Sequence, residues 1–426
     1  MTDRQQVTIR LSTGTSLFLT RDVLLLFVTR FIRLFAYGSL SVVLVFYLTG
    51  LGLSTSQIGV LFTLTLIGDT VISLYLTTRA DRIGRRRMLV VGALLMIAAG
   101  VIFSITHSFL LLTTAATIGV ISPSGNEVGP FLSIEQAALS NVVSEQTRTN
   151  IFAWYALAGS FATALGALSA GVIVHVLQKA SVAPLNSYRM IVVLYAVLGV
   201  LMLFFFNRLT SAAEVISHGK SDSSAGLPKF FGIGHSHGVV LKLSGLFALD
   251  SFGGGFVVQS FAAYWFYLRF GLTPESLGLI FFVANLISGV SALLASRLAS
   301  RLGLVRTMVF THLPSNILLI LIPLMPTLSL AIAVLFLRFS ISQMDVPTRQ
   351  SYTMAVVPPQ ERSAAAGITS VARSTGAAVA PFLAGIMFAR PTLINVPFFI
   401  AGALKIVYDL LLYKNFVAAR PPDEAR

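Results

Sequence analysis

Arg79-Ala80-Asp81-Arg82-Ile83-Gly84-Arg85-Arg86-Arg87 is the stretch whose reading decides the fold. It places one acid, one glycine and a run of arginines between two apolar segments, Ile58 to Leu76 and Met88 to Ile105. A helix needs about 20 apolar residues to cross a ~30 Å hydrocarbon core, and each flanking segment is close to that length. A short, strongly basic connection between two spanning helices is retained on the cytoplasmic side, because Lys and Arg near span ends set orientation.

Composition agrees with a membrane solvent. The 426 residues are 55% hydrophobic and only 11% charged, and mean hydropathy is +0.85. Soluble domains carry about 25% charged residues, so the chain is expected to be membrane-embedded. No cysteine is present, which excludes disulfides and thiolate metal sites. The net charge of +14 raises nucleic acid as a partner until the charges are placed. They fall in the N-terminal tail (Arg4, Arg10, Arg21), the basic loop, the middle (Arg208, Lys220, Lys229), a later hairpin (Arg297, Arg301, Arg306) and the C-terminal tail (Lys414, Arg420, Arg426). All of these lie on one side of the threading, whereas the opposite side holds Lys179, Arg189, Arg269 and Arg390. That asymmetry is a topology signal, and no nucleic-acid binding is expected. Met1 to Asp22 is polar and the next apolar run is too long for a signal h-region, so no cleavable signal peptide is expected.

In chain order, the first span is read at about Val23 to Leu48, and the second returns through Asp69 to the basic loop. The third is Met88 to Ile105. The fourth begins at Phe109, is interrupted by Ser122-Pro123-Ser124-Gly125-Asn126-Glu127-Val128-Gly129-Pro130, and resumes to about Val143. Pro and Gly free backbone groups that hydrocarbon cannot satisfy, so this break must face protein or a watery cavity. The fifth span is about Ile151 to Leu177, with Gly159, Gly166 and Gly171 to let neighbours approach, and the sixth is Met190 to Phe206. Asn207 to Gly238 is the one long polar stretch and reads as a linker. Six further spans follow, at about Val239–Leu268, Leu277–Ala295, Met308–Met325, Leu328–Val356, Ala364–Ala389 and Val396–Tyr413. The fold class is therefore an all-α polytopic membrane protein of about twelve transmembrane helices. Its division is a 1–22 N-terminal tail, a 23–206 six-helix bundle, a 207–238 linker, a 239–414 six-helix bundle and a 415–426 tail, with linker and both tails cytoplasmic.

The second half repeats the first. Glu135-Gln136 and Arg148 are each answered 214 positions later, by Arg349-Gln350 and Arg362. Phe46-Tyr47-Leu48 returns as Phe266-Tyr267-Leu268, and Ala80-Asp81-Arg82-Ile83-Gly84 as Ala299-Ser300-Arg301-Leu302-Gly303, with Arg306 standing where Arg87 does. The order D-R-x-G-R-R after a second span, with a weaker copy in the second half, resembles the signature loop of the major facilitator superfamily of secondary transporters. The resemblance covers essentially the whole chain and implies that family's fold, two pseudo-symmetric six-helix bundles. It also implies that Asp81 and Arg82, with Gly84, Arg85, Arg86, Arg148, Arg301 and Arg362, belong to a cytoplasmic gate, with Asp81 capping a facing helix near Ala364. Departures limit what carries over. Thr77 stands where the family's loop begins with Gly, Ser300 replaces the acid in the second copy, and the arginine common in the family's fourth span has its nearest counterpart in Arg338. The fifth-span Gly-Pro pattern of drug–proton antiporters lacks its Pro.

An ionisable group at mid-bilayer costs from about 2.5 to over 10 kcal/mol unless it pairs or reaches water. The candidates for substrate binding and coupling are accordingly Arg33, Tyr37, Asp69, Glu127, Glu135, Asp250, Arg338, Asp345, Arg349 and Arg373. Arg33 lies about ten residues, or ~15 Å, into its span, and is expected to bridge to Asp69 or Glu127. Asp345 and Arg349 are four apart and able to pair along one helix face. Asp250 stands beside Gly253-Gly254-Gly255, where the helix is expected to loosen. Bland readings are assigned to the rest. Arg30, like Asp250, is shallow enough to snorkel; Lys405 and Asp409 read as i,i+4 partners near the inner surface; His107 and His312 read as span-end residues.

The function expected is a secondary active transporter of the plasma (inner) membrane that moves a small molecule by alternating access. Proton-coupled efflux is favoured, with Glu127, Glu135 and Asp69 as protonation sites and Arg33 as counter-ion or anchor. Uptake or exchange of an organic anion drawn to Arg33, Arg338, Arg349 and Arg373 is the alternative. A divalent-metal exporter using Asp69, Glu127 and Asp250 is weaker, and a non-transporting receptor or scaffold would not need so many buried charges. No enzyme, cofactor or resident metal is expected, and the protein is read as a monomer whose partners are its substrate, protons and the lipid bilayer.

Overall fold

The computed structural model describes residues 7–10, 16–127, 129–143, 145–210, 213–214, 236–358 and 361–417. Two short antiparallel strands, β1 (Val7–Arg10) and β2 (Ser16–Leu19), pair in the segment read from sequence as a polar tail. The described elements after them are helices. The first half comprises α1 (Arg21–Gly50), α2 (Thr55–Ile83), α3 (Arg85–Ile105), α4 (Phe109–Ile118), α5 (Phe131–Val142), α6 (Glu145–Lys179) and α7 (Pro184–Phe206). The second comprises α8 (His237–Gly255), α9 (Gln259–Phe270), α10 (Pro274–Leu302), α11 (Leu304–Leu321), α12 (Leu328–Ser342), α13 (Asp345–Ala355), α14 (Arg362–Phe388) and α15 (Val396–Phe416).

Among the described residues 11 helical segments are long and apolar enough to cross a membrane, and Phe109–Ile118 is a shorter apolar helix. That short helix is the part of the fourth span remote from the basic loop, cut off close to where sequence placed the break. Residues 119–127, 129 and 130 leave the helix with Val120 (φ 53), Gly125 (φ 69) and Gly129 (φ 83) in the left-handed region, and α5 resumes after Pro130. Two more spans are broken. The seventh parts at Phe256–Val258, just after the glycine triplet, and the tenth parts at Gln343–Met344. The tenth break was not anticipated; its sequence mark is Pro347, which tolerates the first turn of a helix because its missing N–H has no partner there.

The halves meet through α6 against α10 and α2 against α14, and the close approaches need glycine. A Cβ on Gly59 would lie 2.5 Å from the Pro381 carbonyl oxygen, and one on Gly278 would lie 2.6 Å from that of Ala167. Polar bonds continue the seam: the Phe382 amide donates to Thr63 Oγ1 at 3.0 Å, and Gln259 Nε2 donates to Ser41 Oγ at 2.8 Å. Ser260 Oγ donates to the carbonyl oxygens of Ser41 and Pro123, at 2.8 and 2.7 Å. Phe62 packs on Phe261 and Phe46 on Tyr267 across the same seam. These contacts sit at the end of the bundle opposite the basic loop, which is therefore sealed.

Candidate functional site

Two clusters of buried charge lie one in each half. In the first, Arg33 on α1 is completely buried and makes a two-pronged pair with Glu135 on α5, itself completely buried: Nη1 to Oε1 at 2.7 Å and Nη2 to Oε2 at 2.6 Å. Its remaining Nε donates to Glu127 Oε1 at 2.7 Å. A planar guanidinium is matched to this fork geometry in a way an ammonium is not. Glu135 is further held by Thr29 Oγ1 at 3.2 Å and by the Tyr155 hydroxyl. Arg30, one turn earlier, brings Nη1 to 3.0 Å from Glu127 Oε2. That pair is close enough for charge attraction without being aligned as a hydrogen bond. Arg30 lies over the Tyr155 ring and Arg33 over Phe131, which adds cation–π contact on the apolar side. The sequence-derived expectation for Arg33 holds for Glu127 but not for Asp69. Asp69 accepts from the Gly129 amide and from Ser73 Oγ, so the acid of α2 ties down the fourth-span break. Tyr37 is buried one turn beyond Arg33 and stacks on Tyr195 at 6.4 Å.

The second cluster centres on Asp250 of α8, which is buried rather than snorkelling. Lys405 Nζ of α15 donates to its Oδ1 at 2.6 Å, Arg349 Nη1 of α13 donates to Oδ2 at 3.1 Å, and His312 Nε2 of α11 stands 3.6 Å from Oδ1. Arg349 also pairs with Asp345 at 3.0 Å, the expected i,i+4 contact. His312 Nδ1 meets Asp409 Oδ1 at 2.8 Å, and Asn316 Nδ2 donates to Asp409 Oδ2 at 2.9 Å. Three sequence readings are thereby corrected. Lys405 and Asp409 are not partners of each other near the surface; each reaches across to another helix. His312 is not a span-end residue but a buried bridge between two acids. Arg30, the fourth residue read as shallow or bland with Asp250, is likewise buried and paired. Arg338 and Arg373 lie at similar depth in α12 and α14.

Two matched positions of the clusters carry opposite signs. Counting from the matched Phe46 and Phe266, Arg30 corresponds to Asp250, and on the separate match of Gln136 with Gln350, Glu135 corresponds to Arg349. Cation on the first span and acid on the fourth in one half become acid and cation in the other. Asp250, His312 and Asp345 present possible ligand atoms within 4.8 Å of one another. The set does not suit a divalent cation, because Lys405 and Arg349 already share its carboxylates and would repel the ion.

Of the expected gate residues, the side chains of Asp81, Arg82 and Arg148 lie outside the described residues. Gly84 joins α2 to α3 with φ 114. Arg85 Nη1 donates to the Ala137 carbonyl at 3.0 Å, and Arg86 Nη1 reaches that of Leu209 at 3.4 Å, both within the first half. Arg362 Nε donates to the Met354 carbonyl at 3.0 Å, and Arg301 is exposed. Sequence reasoning missed Glu214, whose carboxylate accepts from the amides of Arg85 and Arg86 at 2.7 and 3.1 Å and so caps α3. It also missed the Thr210 contact of Asp22, made through backbone and hydroxyl.

The family model for the Major Facilitator Superfamily matches residues 26–381 and 243–426. An uncharacterized membrane protein of Saccharomyces cerevisiae is 32% identical over 424 residues, covering 93% of this chain and 94% of its own. Among solved structures, the nucleoside transporter NupG superposes with a TM-score of 0.72 at 12% identity, covering 93% of this chain and 100% of that one. A bacterial homologue of the iron transporter ferroportin, in an inward-facing state, gives 0.71 at 15%, covering 92% and 98%. A D-xylose-proton symporter gives 0.70 at 15%, covering 92% and 97%. Twelve-span architecture, repeated halves and a model match along nearly the whole chain agree: the protein is an integral membrane transporter of the major facilitator superfamily.

Proposed function

We propose that the chain works by alternating access and couples transport of a small molecule to protons, with Glu127 as the acid that links protonation to the gate. One observation carries this reading. The break Ser122–Pro130 holds Glu127, which pairs with Arg30 and Arg33, and also Pro123, whose carbonyl receives the Ser260 hydroxyl and amide from the other half. Whatever changes the charge on Glu127 therefore pulls on a segment that forms part of the outer seal. Glu127 is more exposed than Glu135, its partner acid on Arg33, with a side chain 14% exposed against 0%. A proton arriving through water meets Glu127 first, while the Arg33–Glu135 fork holds the cluster together.

With the basic loops in the cytoplasm, the sealed end is the outer face and the conformation is inward-facing. Efflux in exchange for protons is the direction of choice: a proton entering at Glu127 weakens its hold on Arg33 and loosens the outer seal on the same stroke. The test is the distance between spin labels on Asn186→Cys and Thr392→Cys, two exposed outer positions in a chain with no native cysteine. Lowering pH from 8 to 5.5 is expected to lengthen that distance, and Glu127→Gln to abolish the response. A wild-type pH response that persists in both Glu127→Gln and Glu135→Gln rules the assignment out.

A further inference from the structure

Among the described arginines near the middle of the spans, Arg338 and Arg373 are left without an ion pair, and both belong to the second half. Among the described residues Arg338 and Arg373 make no hydrogen bond and no ion pair, and the Nε of each is buried without a partner. Arg338 stands ten residues into α12 and Arg373 eleven into α14, so each lies ~15 Å from the end of its helix, near mid-membrane. A guanidinium at that depth is too far from either surface to reach headgroups comfortably, and such residues pair or line water. The Arg338 guanidinium lies 5.4 Å from the Phe339 ring.

The two arginines share charged neighbours in the second cluster. Arg373 lies within electrostatic reach of Arg349, Asp250 and Asp345, and Arg338 within that of Asp250. The acids cannot neutralise them, because Asp250 is already shared by Lys405 and Arg349, Asp345 by Arg349, and Asp409 is held by His312 and Asn316. Four cations (Arg338, Arg349, Arg373, Lys405) thus face three acids (Asp250, Asp345, Asp409) in this half. In the first half two cations (Arg30, Arg33) face three acids (Asp69, Glu127, Glu135). The sign of the excess differs between the halves: Arg30 also has unbonded donors, but it sits 3.0 Å from Glu127, whereas Arg338 and Arg373 have no ion pair among the described residues.

We propose that Arg338 and Arg373 are an anion-binding subsite, and that the transported molecule is a small organic anion whose carboxylate or phosphate oxygens these two guanidinium groups receive. The proposal rests on the alternating-access reading for its route from water to the subsite, but not on proton coupling at Glu127. Two arginines on separate helices suit oxyanions, which take parallel N–H donors in a plane.

The test uses the protein's lack of cysteine. Arg338→Cys and Arg373→Cys are made singly, so that one arginine remains in each, and the reconstituted proteins are labelled with anionic and cationic methanethiosulfonate reagents. A field of one sign in a cleft changes association rates tenfold or more. Both thiols are expected to react from water, with the anionic reagent favoured about tenfold relative to an exposed Thr392→Cys control. A cationic preference overturns the subsite and leaves alternating access standing, whereas thiols inert to both reagents overturn the subsite and its route together. A second arm measures thermal stabilisation of the unaltered protein by citrate and by glucose 6-phosphate at constant ionic strength. Citrate alone assigns a carboxylate and glucose 6-phosphate alone a phosphate. Stabilisation that survives in the Arg338→Gln/Arg373→Gln double variant overturns the assignment.

Discussion

Removing either member of the Arg33–Glu135 fork is expected to cost far more than removing both. The two side chains are completely buried and joined by two bonds of 2.7 and 2.6 Å. Breaking one partner of such a pair leaves a charge without water or counter-ion and costs ~3–5 kcal/mol. Glu135→Leu strands Arg33 with Glu127 alone, and Arg33→Met leaves Glu135 with only the neutral donors Thr29 and Tyr155. In the double variant Glu127 keeps Arg30 as its neighbour, and apolar side chains of similar volume fill the space. The remaining penalty is then chiefly the Tyr155 hydroxyl left without its acceptor, about 1–3 kcal/mol. The single losses sum to about 6–10 kcal/mol, so the coupling energy should be several kcal/mol and favourable to the double variant. Reversible unfolding in mixed micelles, run on all four members of the cycle, reads it directly. Losses that add to within ~0.5 kcal/mol would refute the reasoning, since independent sites behave that way.

Asp250 serves two cations and His312, so Asp250→Asn should destabilise by ~3–5 kcal/mol. Asp409→Asn should cost only ~1–2 kcal/mol because Asn316 and His312 retain an oxygen to bond; the same unfolding assay ranks them, and equal losses would contradict the hub role of Asp250. Gly59→Leu places carbon where the Pro381 carbonyl stands, a clash worth ~1–3 kcal/mol. Since 1.4 kcal/mol is tenfold, outward opening should rise about tenfold or more, read as faster labelling of Ser41→Cys by an impermeant thiol reagent from the outer side. Unchanged labelling would mean that the α2–α14 seam is not the seal. Glu214→Gln removes the charged acceptor at the start of α3, and a loss of ~1 kcal/mol is expected. Hydrogen exchange at the Arg85 and Arg86 amides should quicken accordingly, and unaltered protection would show that the cap does not hold the loop.

The sequence carries the large features because they rest on composition and local geometry. Apolar runs, a basic loop and a Pro/Gly cluster at Ser122–Pro130 determine spans and a break without reference to any distant residue. Arg33, Glu127, Glu135 and the Asp345–Arg349 pair were legible for a related reason: a charge in a span must find a partner, and few were available. What the sequence hid was the identity of partners on other helices. Lys405 and Asp409 have i,i+4 spacing, and nothing within α15 reveals that Asp250 and His312 stand opposite them. Asp69 chose the Gly129 amide, and a backbone partner leaves no trace in the order of side chains. The sign inversion between Arg30/Glu135 and Asp250/Arg349 became visible only when the matched spans were laid over one another. Pro347 was a usable signal for the tenth-span break, but a proline in a helix is also tolerated without one, as Pro314 in α11 and Pro381 in α14 demonstrate.

The central claim is that two bundles exchange access to the charged centre between opposite faces. Its most direct test measures two distances in one reconstituted preparation by spin labelling: the outer pair Asn186→Cys/Thr392→Cys and the inner pair Arg87→Cys/Arg306→Cys, all exposed positions. The account predicts opposite changes, the outer distance lengthening as the inner one shortens when pH is lowered. Distances that stay fixed, or that lengthen together, would contradict it.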